Sequence, residues 1–257
     1  NIFEQQSLKK LIKGKDICIN LIGILFEKRN NTFQNIHVNF PSIISKICNE
    51  NNLDQFIHIS ALGIDQAKDS KYAKSKLDGE QKIKENFEQA TILRPSVIYS
   101  VDDNFTTSFM TMLNMLPFFP LYYNGKTKFV PIHVSEVSDI ISHIIEKNIS
   151  SEIIECVGSQ EYSFKEIIQK LLQLINKNKI LVPLPLMIGK IMARFLEMFP
   201  KPLLTLDQLK LLNYNNILSG KYKSNFDIGL DPKLKFEEEV AKYCHMWKDG
   251  GEYSKEI

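Results

Sequence analysis

The sequence predicts an α/β fold, in which helices flank a parallel sheet and a smaller, mainly helical part follows. Short apolar runs at residues 16–23, 56–60 and 90–94 predict strands, and helical patterns at residues 35–51 and 72–87 separate them. None of the three runs has the strict alternation of a half-exposed strand, so each is expected to be buried on both faces. Because strands that alternate with helices pair in parallel through right-handed crossovers, all three are expected in one sheet.

The later part of the chain contains more helices than strands. Ser163 and Glu166 match a capping box, which predicts that a helix starts there. Residues 182–185 are bounded by prolines and are expected to form a linker. The other predicted elements are strands at residues 128–134 and 153–157 and helices at residues 136–147, 187–199 and 206–214.

The change in pattern divides the chain into two expected domains. Residues 1–98 and 128–158 are expected to form the sheet-containing domain, and residues 99–127 and 159–257 a C-terminal part on the substrate side. At 257 residues, the chain is long enough for one large domain or slightly more.

The composition excludes several classes of protein. The formal net charge of +2 argues against a nucleic-acid binder, and no apolar run is long enough for a transmembrane segment. The five histidines show no metal-ligand spacing, so no metal site is predicted. No C-x-x-C motif links the cysteines, which favours a reduced intracellular compartment such as the cytoplasm. The cysteines are Cys18, Cys48, Cys156 and Cys244.

Ser60, Tyr72 and Lys76 are the candidate catalytic residues. Ser60 ends an apolar run, and Tyr72 and Lys76 stand at positions i and i+4 of the helix that follows. A phenol with a pKa of about 10 transfers protons near neutral pH only if a nearby cation favours the phenolate, and Lys76 would supply that cation. A serine at the strand end would polarise a substrate carbonyl. The same residues would also suit a purely structural role, with Ser60 satisfying backbone groups and Lys76 in solvent.

Several short motifs occur in the order found in a known superfamily. They are INLIG (residues 19–23), VN (38–39), HIS (58–60), Y-x-x-x-K (72–76), LRPSVIY (93–99) and IHVSEVSDII (132–141). With these motifs the chain resembles the short-chain dehydrogenase/reductase superfamily, in the extended or atypical branch of NAD-dependent epimerase/dehydratase-like proteins. Segments 20–27, 93–109, 183–200 and 204–212 look most like the subgroup containing the NAD(P)H-binding accessory subunit of respiratory complex I and its bacterial relatives.

The resemblance implies a Rossmann-like sheet and a binding site for NAD or NADP. Lys76 and Tyr72 would contact the nicotinamide ribose. Gly23 would allow a ribose or adenine to approach the backbone, and the exit at Pro95 would place Val97 near the nicotinamide. For Tyr72 and Lys76, three interpretations remain open: catalysis, cofactor binding without turnover, and a structural role. For Gly23 and Pro95, an ordinary turn is the alternative.

The dinucleotide fold of this superfamily begins with a G-x-x-G-x-x-G loop, which this sequence lacks. By resemblance, the strand at residues 16–23 corresponds to the fourth of the fold. Two βα units, roughly 60 residues, are therefore expected to be missing ahead of Asn1. The loop supplies the pyrophosphate site, so dinucleotide binding by this fragment is expected to be weak or absent.

Tyr72 follows Ser60 by only twelve residues, a short loop that is typical of the atypical subgroup. The resemblance therefore implies an NAD(P)H-binding protein with a structural or regulatory role. Its partners would be complex I or quinone-related membrane proteins, with a peripheral location at the inner membrane, on the matrix side in a eukaryote. The alternative is an active oxidoreductase or epimerase/dehydratase that uses Ser60, Tyr72 and Lys76 on a sugar-nucleotide, sterol-like or quinone-related substrate. A third possibility is a fragment that binds nothing by itself.

Two apolar segments of the C-terminal part have open interpretations. The helix at residues 187–199 would suit a membrane surface or a partner protein, or would simply cover its own domain. The aromatic residues at 118, 119, 122 and 123 would line a ligand pocket or pack in a core.

Overall fold

The computed structural model of the protein describes residues 2–200 and 202–254. Within these residues the strands are β1 (Ile17–Asn20), β2 (Gln55–Ile59), β3 (Thr91–Pro95), β4 (Ile98–Tyr99), β5 (Phe118–Leu121), β6 (Lys128–Phe129), β7 (Ile132–His133), β8 (Ile153–Cys156), β9 (Tyr162–Ser163), β10 (Ile180–Pro183) and β11 (Lys223–Ser224). The α-helices are α1 (Gln5–Ile12), α2 (Phe40–Glu50), α3 (Lys71–Asn86), α4 (Thr106–Met115), α5 (Val134–Glu146), α6 (Phe164–Leu174), α7 (Leu186–Leu196), α8 (Leu206–Leu211) and α9 (Phe236–Ala241). A π-helical turn (Gln34–Asn39) precedes α2, and short 3₁₀ helices occur at Tyr122–Gly125 and Cys244–Trp247.

The chain divides into two compact units. The first comprises Asn1–Pro95, Asp139–Cys156 and Leu218–Ile228, and the second comprises Ser96–Ser138, Val157–Ile217 and Gly229–Ile257. The division differs from the expected domains mainly at two segments. Residues 218–228 belong to the first unit because β11 pairs with β8. Residues 128–138 belong to the second because β6 and β7 pair with strands of that unit.

The first unit contains a five-stranded sheet in the order β1-β2-β3-β8-β11, in which all neighbouring strands are parallel. The predicted α/β fold is confirmed, and the three predicted strands lie side by side in this sheet. The register pairs Asn20 with His58, Ile59 with Leu93 and Pro95 with Cys156. The carboxyl ends of four strands therefore meet at one edge.

The expectation that the first strand is buried on both faces is wrong for β1. This strand ends at Asn20 and lies at one end of the strand order, so among the described residues it pairs with a single strand, β2. Ile19 is 40% exposed and Leu21, just beyond the strand, is 65% exposed. By contrast, every residue of β3 is buried, because β3 lies between β2 and β8.

Helix α3 packs closely against α2 and against the π-helical turn before it. Gly79 makes this approach possible, since a Cβ added there would lie 1.9 Å from the backbone oxygen of His37. A backbone atom cannot move aside as a flexible side chain can. The close packing in turn holds His37 against the first turns of α3.

We expect Gly79→Ala to lower the free energy of unfolding by roughly 1–3 kcal/mol, because α3 must move away from the π-helical turn. Alanine is the better helix former, so propensity alone would change stability in the opposite direction. Urea unfolding measures the difference, with Lys74→Ala at an exposed position of the same helix as the control. A stabilised Gly79→Ala variant would contradict the observed contact.

The second unit contains three two-stranded pairings around an aromatic core. β10 pairs with β5 and β7 with β4 in parallel, whereas β9 pairs with β6 in the antiparallel direction. The predicted linker at residues 182–185 is therefore wrong in part, since Val182 and Pro183 belong to β10. The strand predicted at residues 128–134 is two strands, β6 and β7. The predicted capping box at Ser163 and Glu166 starts α6 and is confirmed.

Candidate functional site

The candidate site residues of the first unit lie at the edge where the parallel strands end. Ser60 follows β2 directly, and its N–H donates to the oxygen of Leu93 at 2.7 Å. Pro95 is the last residue of β3, and its oxygen accepts from the N–H of Leu62 at 2.9 Å. Gly23 follows the end of β1 by three residues. Ligands of open α/β sheets bind outside this edge, as the predicted site requires.

Helix α3 presents Tyr72 and Lys76 on one side. The helix is capped by Ser70, whose Oγ accepts from the N–H of Ala73 at 3.2 Å. The cap fixes the first turn, in which Tyr72 stands, and Lys76 follows one turn later.

Lys76 is a buried cation at the end of β2. Its side chain is 4% exposed, and Nζ donates to the oxygen of Ile59, next to Ser60, at 3.1 Å. Burial lowers the pKa of Lys76 to about 8, although the Glu80 carboxylate raises it in part. A Cβ added to Gly23 would lie 3.3 Å from Nζ. Gly23 and Lys76 are thus neighbours. Because Gly23 has no side chain, the Lys76 ammonium has room in its observed position.

His37 is a second polar residue of the site. Its Nε2 accepts from the N–H of Ile24 at 3.1 Å, and its Nδ1 lies 2.8 Å from the Oγ of Ser75. Ser75 donates its hydroxyl proton to the backbone carbonyl oxygen of Tyr72, so Nδ1 carries the proton of a neutral imidazole. Burial, followed by the Lys76 charge, lowers the pKa of His37 to about 3. His37 therefore stays neutral at physiological pH.

His58 lies in β2 and Ser60 directly follows the strand, and both are buried. Because they are two positions apart, their side chains face the same side of the sheet. The side-chain oxygen of Asn20 accepts from the N–H of Ile22, which identifies the other side-chain atom as the amide nitrogen. That nitrogen donates to His58 Nδ1 at 3.0 Å. His58 Nε2 then carries a proton. Within the described residues, neither His58 Nε2 nor Ser60 Oγ has a hydrogen-bond partner. Buried polar atoms without a partner are uncommon in folded proteins, so both atoms call for an explanation.

The Tyr72 ring packs against His37 and Phe33. Its ring meets His37 edge-on at 5.3 Å between centroids and Phe33 at 5.9 Å. Burial raises the pKa of Tyr72 to about 12. The direction is opposite to the one that proton transfer by Tyr72 requires, because activation by Lys76 would lower this pKa.

The structure brings together most, but not all, of the predicted site residues. Gly23 and Lys76 adjoin each other and the end of β2, and His37 connects them to Tyr72. Val97 lies in the second unit, where its oxygen accepts from the N–H of Ile132 at 3.1 Å and its side chain packs against the aromatic core. Its proposed contact with nicotinamide stays a prediction.

Sequence reasoning missed His37 and His58 as members of the site. His58 was visible as a lone polar residue inside an apolar strand, and His37 as one within a helical pattern. Among residues 2–200 and 202–254 no cluster of three or more His, Cys, Asp or Glu side chains is arranged to hold a metal ion.

No protein-family model matches the chain, but individual proteins do. It is 26% identical over 251 residues to the mitochondrial NADH dehydrogenase (ubiquinone) 1 alpha subcomplex subunit 9 of Mus musculus, covering 95% of this chain and 66% of that protein. It is 25% identical over 230 residues to the mitochondrial NADH-ubiquinone oxidoreductase 40 kDa subunit of Neurospora crassa, covering 88% of this chain and 60% of that protein. The chain is similar in sequence to these complex I subunits. It spans slightly less than two thirds of the length of these relatives.

Solved structures share the α/β fold of this chain. A UDP-glucuronic acid 4-epimerase from Bacillus cereus, crystallised with UDP-glucuronic acid and NAD, matches with a TM-score of 0.67 and 19% identity over 95% of this chain and 79% of that one. A dTDP-glucose 4,6-dehydratase from Streptomyces venezuelae with bound NAD matches with a TM-score of 0.69 and 15% identity over 96% and 77%.

Proposed function

We propose that the protein binds the nicotinamide-ribose half of NAD(P)H at the carboxyl ends of β1 and β2, without turnover, as an accessory component of respiratory complex I. One observation carries the proposal. The Lys76 ammonium is buried beside the bare backbone of Gly23, whereas the pKa of Tyr72 is raised rather than lowered. The arrangement favours a site that holds a ligand over one that transfers a proton.

The residues present suit the ribose and nicotinamide. Lys76 would donate to ribose hydroxyls, and Gly23 would let the ribose approach the backbone. His58 Nε2 and Ser60 Oγ have no partner and could donate hydrogen bonds to oxygen atoms of a ligand, such as the nicotinamide carboxamide oxygen or ribose hydroxyls. When bound, NAD(P)H would supply the hydride-transfer chemistry of the fold, and these side chains would only bind and orient it.

The sequence offers no comparable binding site for the pyrophosphate of NAD(P)H. The 257 residues contain no G-x-x-G-x-x-G loop, whose backbone N–H groups would hold it. We therefore propose weak binding by this chain, with similar affinities for NADH and NADPH because the contacts would be to the nicotinamide half.

The proposed partner follows from the relatives. The mouse and Neurospora proteins are named as subunits of NADH dehydrogenase and NADH-ubiquinone oxidoreductase. We propose that this chain associates with the corresponding complex at the inner membrane, on the matrix side in a eukaryote. The direct experiment is native electrophoresis after expression of a tagged chain in its source cells. Comigration with NADH-ubiquinone oxidoreductase activity would support the partner, and migration only as a free protein would refute it.

Tyr72→Phe separates binding from catalysis. It removes one hydroxyl and keeps the ring packed on His37. For a binder, we expect the NADH affinity to change by about one hydrogen bond, roughly 0.5–1.5 kcal/mol, and we expect no turnover by either protein. Titration followed by NADH fluorescence measures the affinity. Assays with NAD and UDP-glucuronic acid, sterols and quinone analogues measure the activity.

An enzyme would behave differently. Turnover by the wild-type chain that falls roughly 10²–10⁴-fold in Tyr72→Phe would assign proton transfer to Tyr72 and refute the proposal. The Lys74→Ala variant serves as the control, because Lys74 is exposed on the same helix between Tyr72 and Lys76.

A further inference from the structure

Helix α7 of the second unit is attached to its own unit by small residues. Gly189 and Ala193, four positions apart, are its buried residues, and Ala193 is fully buried. A Cβ added to Gly189 would lie 2.5 Å from the Tyr122 ring. The helix backbone therefore lies close on Tyr122, and most of the remaining circumference of α7 faces away from its unit.

The outward side of α7 is apolar. The apolar face consists of Met187, Ile191 and Phe195 on the helix together with Met198 and Phe199 just beyond its end, which are 77%, 68%, 61%, 80% and 51% exposed. The first three recur every four residues, on the side opposite Gly189 and Ala193. Phe195 and Phe199 contact each other edge-on at 5.6 Å. Scattered single apolar side chains are normal on a protein surface, whereas a continuous patch of this kind indicates an interaction site.

Basic side chains border the apolar face. Lys190 and Arg194 are exposed and lie one turn apart, and neither forms an ion pair with any residue that the structure describes. The nearby acid, Glu197, accepts a hydrogen bond from the N–H of Leu206 at 2.7 Å. The border of the face thus carries uncompensated positive charge that would complement anionic groups.

We propose that the apolar face of α7 binds the surface of an anionic lipid bilayer, with the helix lying in the plane of the interface. Phe, Ile and Met side chains next to Lys and Arg are typical of interfacial helices, in which the apolar side enters the acyl boundary and the cations reach phosphates. Among the described residues no helix is long and apolar enough to cross a bilayer. The proposal does not depend on nucleotide binding.

Cosedimentation with vesicles tests the proposal. The wild-type chain should bind vesicles of equal parts phosphatidylcholine and phosphatidylglycerol. The double variant Ile191→Glu/Phe195→Glu should bind at least about tenfold more weakly, because two apolar side chains can no longer enter the bilayer. Lys190→Glu/Arg194→Glu should also weaken binding by about tenfold or more, and high salt should reproduce that effect on the wild type.

Leu11→Glu is the matched control, since Leu11 is 68% exposed, as Ile191 is, but lies on α1 of the first unit. It should bind vesicles like the wild type. Circular dichroism and thermal unfolding show whether each variant is folded. Failure of the folded wild type to bind anionic vesicles would overturn the proposal, as would unchanged binding by Ile191→Glu/Phe195→Glu. Loss of self-association in that variant, without wild-type vesicle binding, would assign the face to a protein contact instead.

Discussion

Replacing Arg94 with methionine should lower the free energy of unfolding by about 3–5 kcal/mol, because it leaves a buried carboxylate without its partner. Arg94 is 2% exposed and Glu80 is 4% exposed. Nε and Nη2 of Arg94 donate to the two carboxylate oxygens of Glu80 at 2.9 and 2.6 Å. The guanidinium also lies 4.6 Å from the Tyr222 ring centroid. Burial would lower the pKa of Arg94, but the Glu80 carboxylate more than compensates and raises it.

A double-mutant cycle distinguishes this pair from ordinary packing. Glu80→Met alone should be destabilising by a similar amount, because it buries an unpaired guanidinium. The double variant Glu80→Met/Arg94→Met should recover at least about 2 kcal/mol relative to either single variant, since it leaves neither member of the pair buried without its partner. Urea unfolding gives all four free energies. Additive losses would mean that the pair is not energetically coupled.

The exposed pair on the same helix is the control for charge. Lys82 and Glu85 form an ion pair at 2.6 Å, and their side chains are 48% and 44% exposed. Glu85→Gln should leave stability essentially unchanged, because water solvates either partner alone. A large loss there would mean that the effect at Arg94 is not due to burial.

The Arg94–Glu80 pair also acts on the candidate site. Glu80 stands one turn after Lys76 on α3, and its charge raises the pKa of that lysine. The pair joins α3 to β3, so it holds the helix that carries Tyr72 and Lys76 over the sheet. Glu80→Met should therefore lower the pKa of Lys76 further below about 8.

The sheet was largely predictable from the sequence because its signals are local. The apolar runs at residues 56–60 and 90–94 need only their own composition to be recognised, and both are strands within a residue of the expected bounds. The exposure of β1 was not predictable. It depends on the position of β1 in the strand order, which the composition of residues 17–20 does not determine.

The site was predictable where spacing alone decides it. Tyr72 and Lys76 share a helix, so their proximity follows from the helical repeat. His37 is 38 residues from Ser75, and Asn20 is 38 residues from His58, so these hydrogen bonds exist only after the helices pack on the sheet. The same holds for Cys18 and Cys48, whose thiols hydrogen-bond although they are distant in sequence; the bond from Cys48 lowers the pKa of Cys18.

Lys76→Met should make the protein more stable near neutral pH while abolishing its proposed ligand contact. The folded state lowers the pKa of Lys76 from 10.5 to about 8, mainly by burial. Below about pH 8 the lysine is charged in both states, and the folded state carries the full cost of burying it. That cost is up to about 3 kcal/mol, and the lost bond to Ile59 offsets about 1 kcal/mol of the gain. We expect a net stabilisation of about 1–2 kcal/mol.

The pH dependence provides the decisive measurement. Between about pH 8 and pH 10.5 the unfolded chain binds more protons at Lys76 than the folded chain, so this group makes wild-type stability rise with pH. The advantage of Lys76→Met should therefore shrink through that window, whereas groups common to both proteins cancel in the difference. Lys74→Met, at an exposed position of α3, should show no such trend. NADH titrations on the same samples should show loss of binding in Lys76→Met alone. A Lys76→Met variant that is less stable at every pH would mean that this lysine contributes to the fold and is not held there for a ligand.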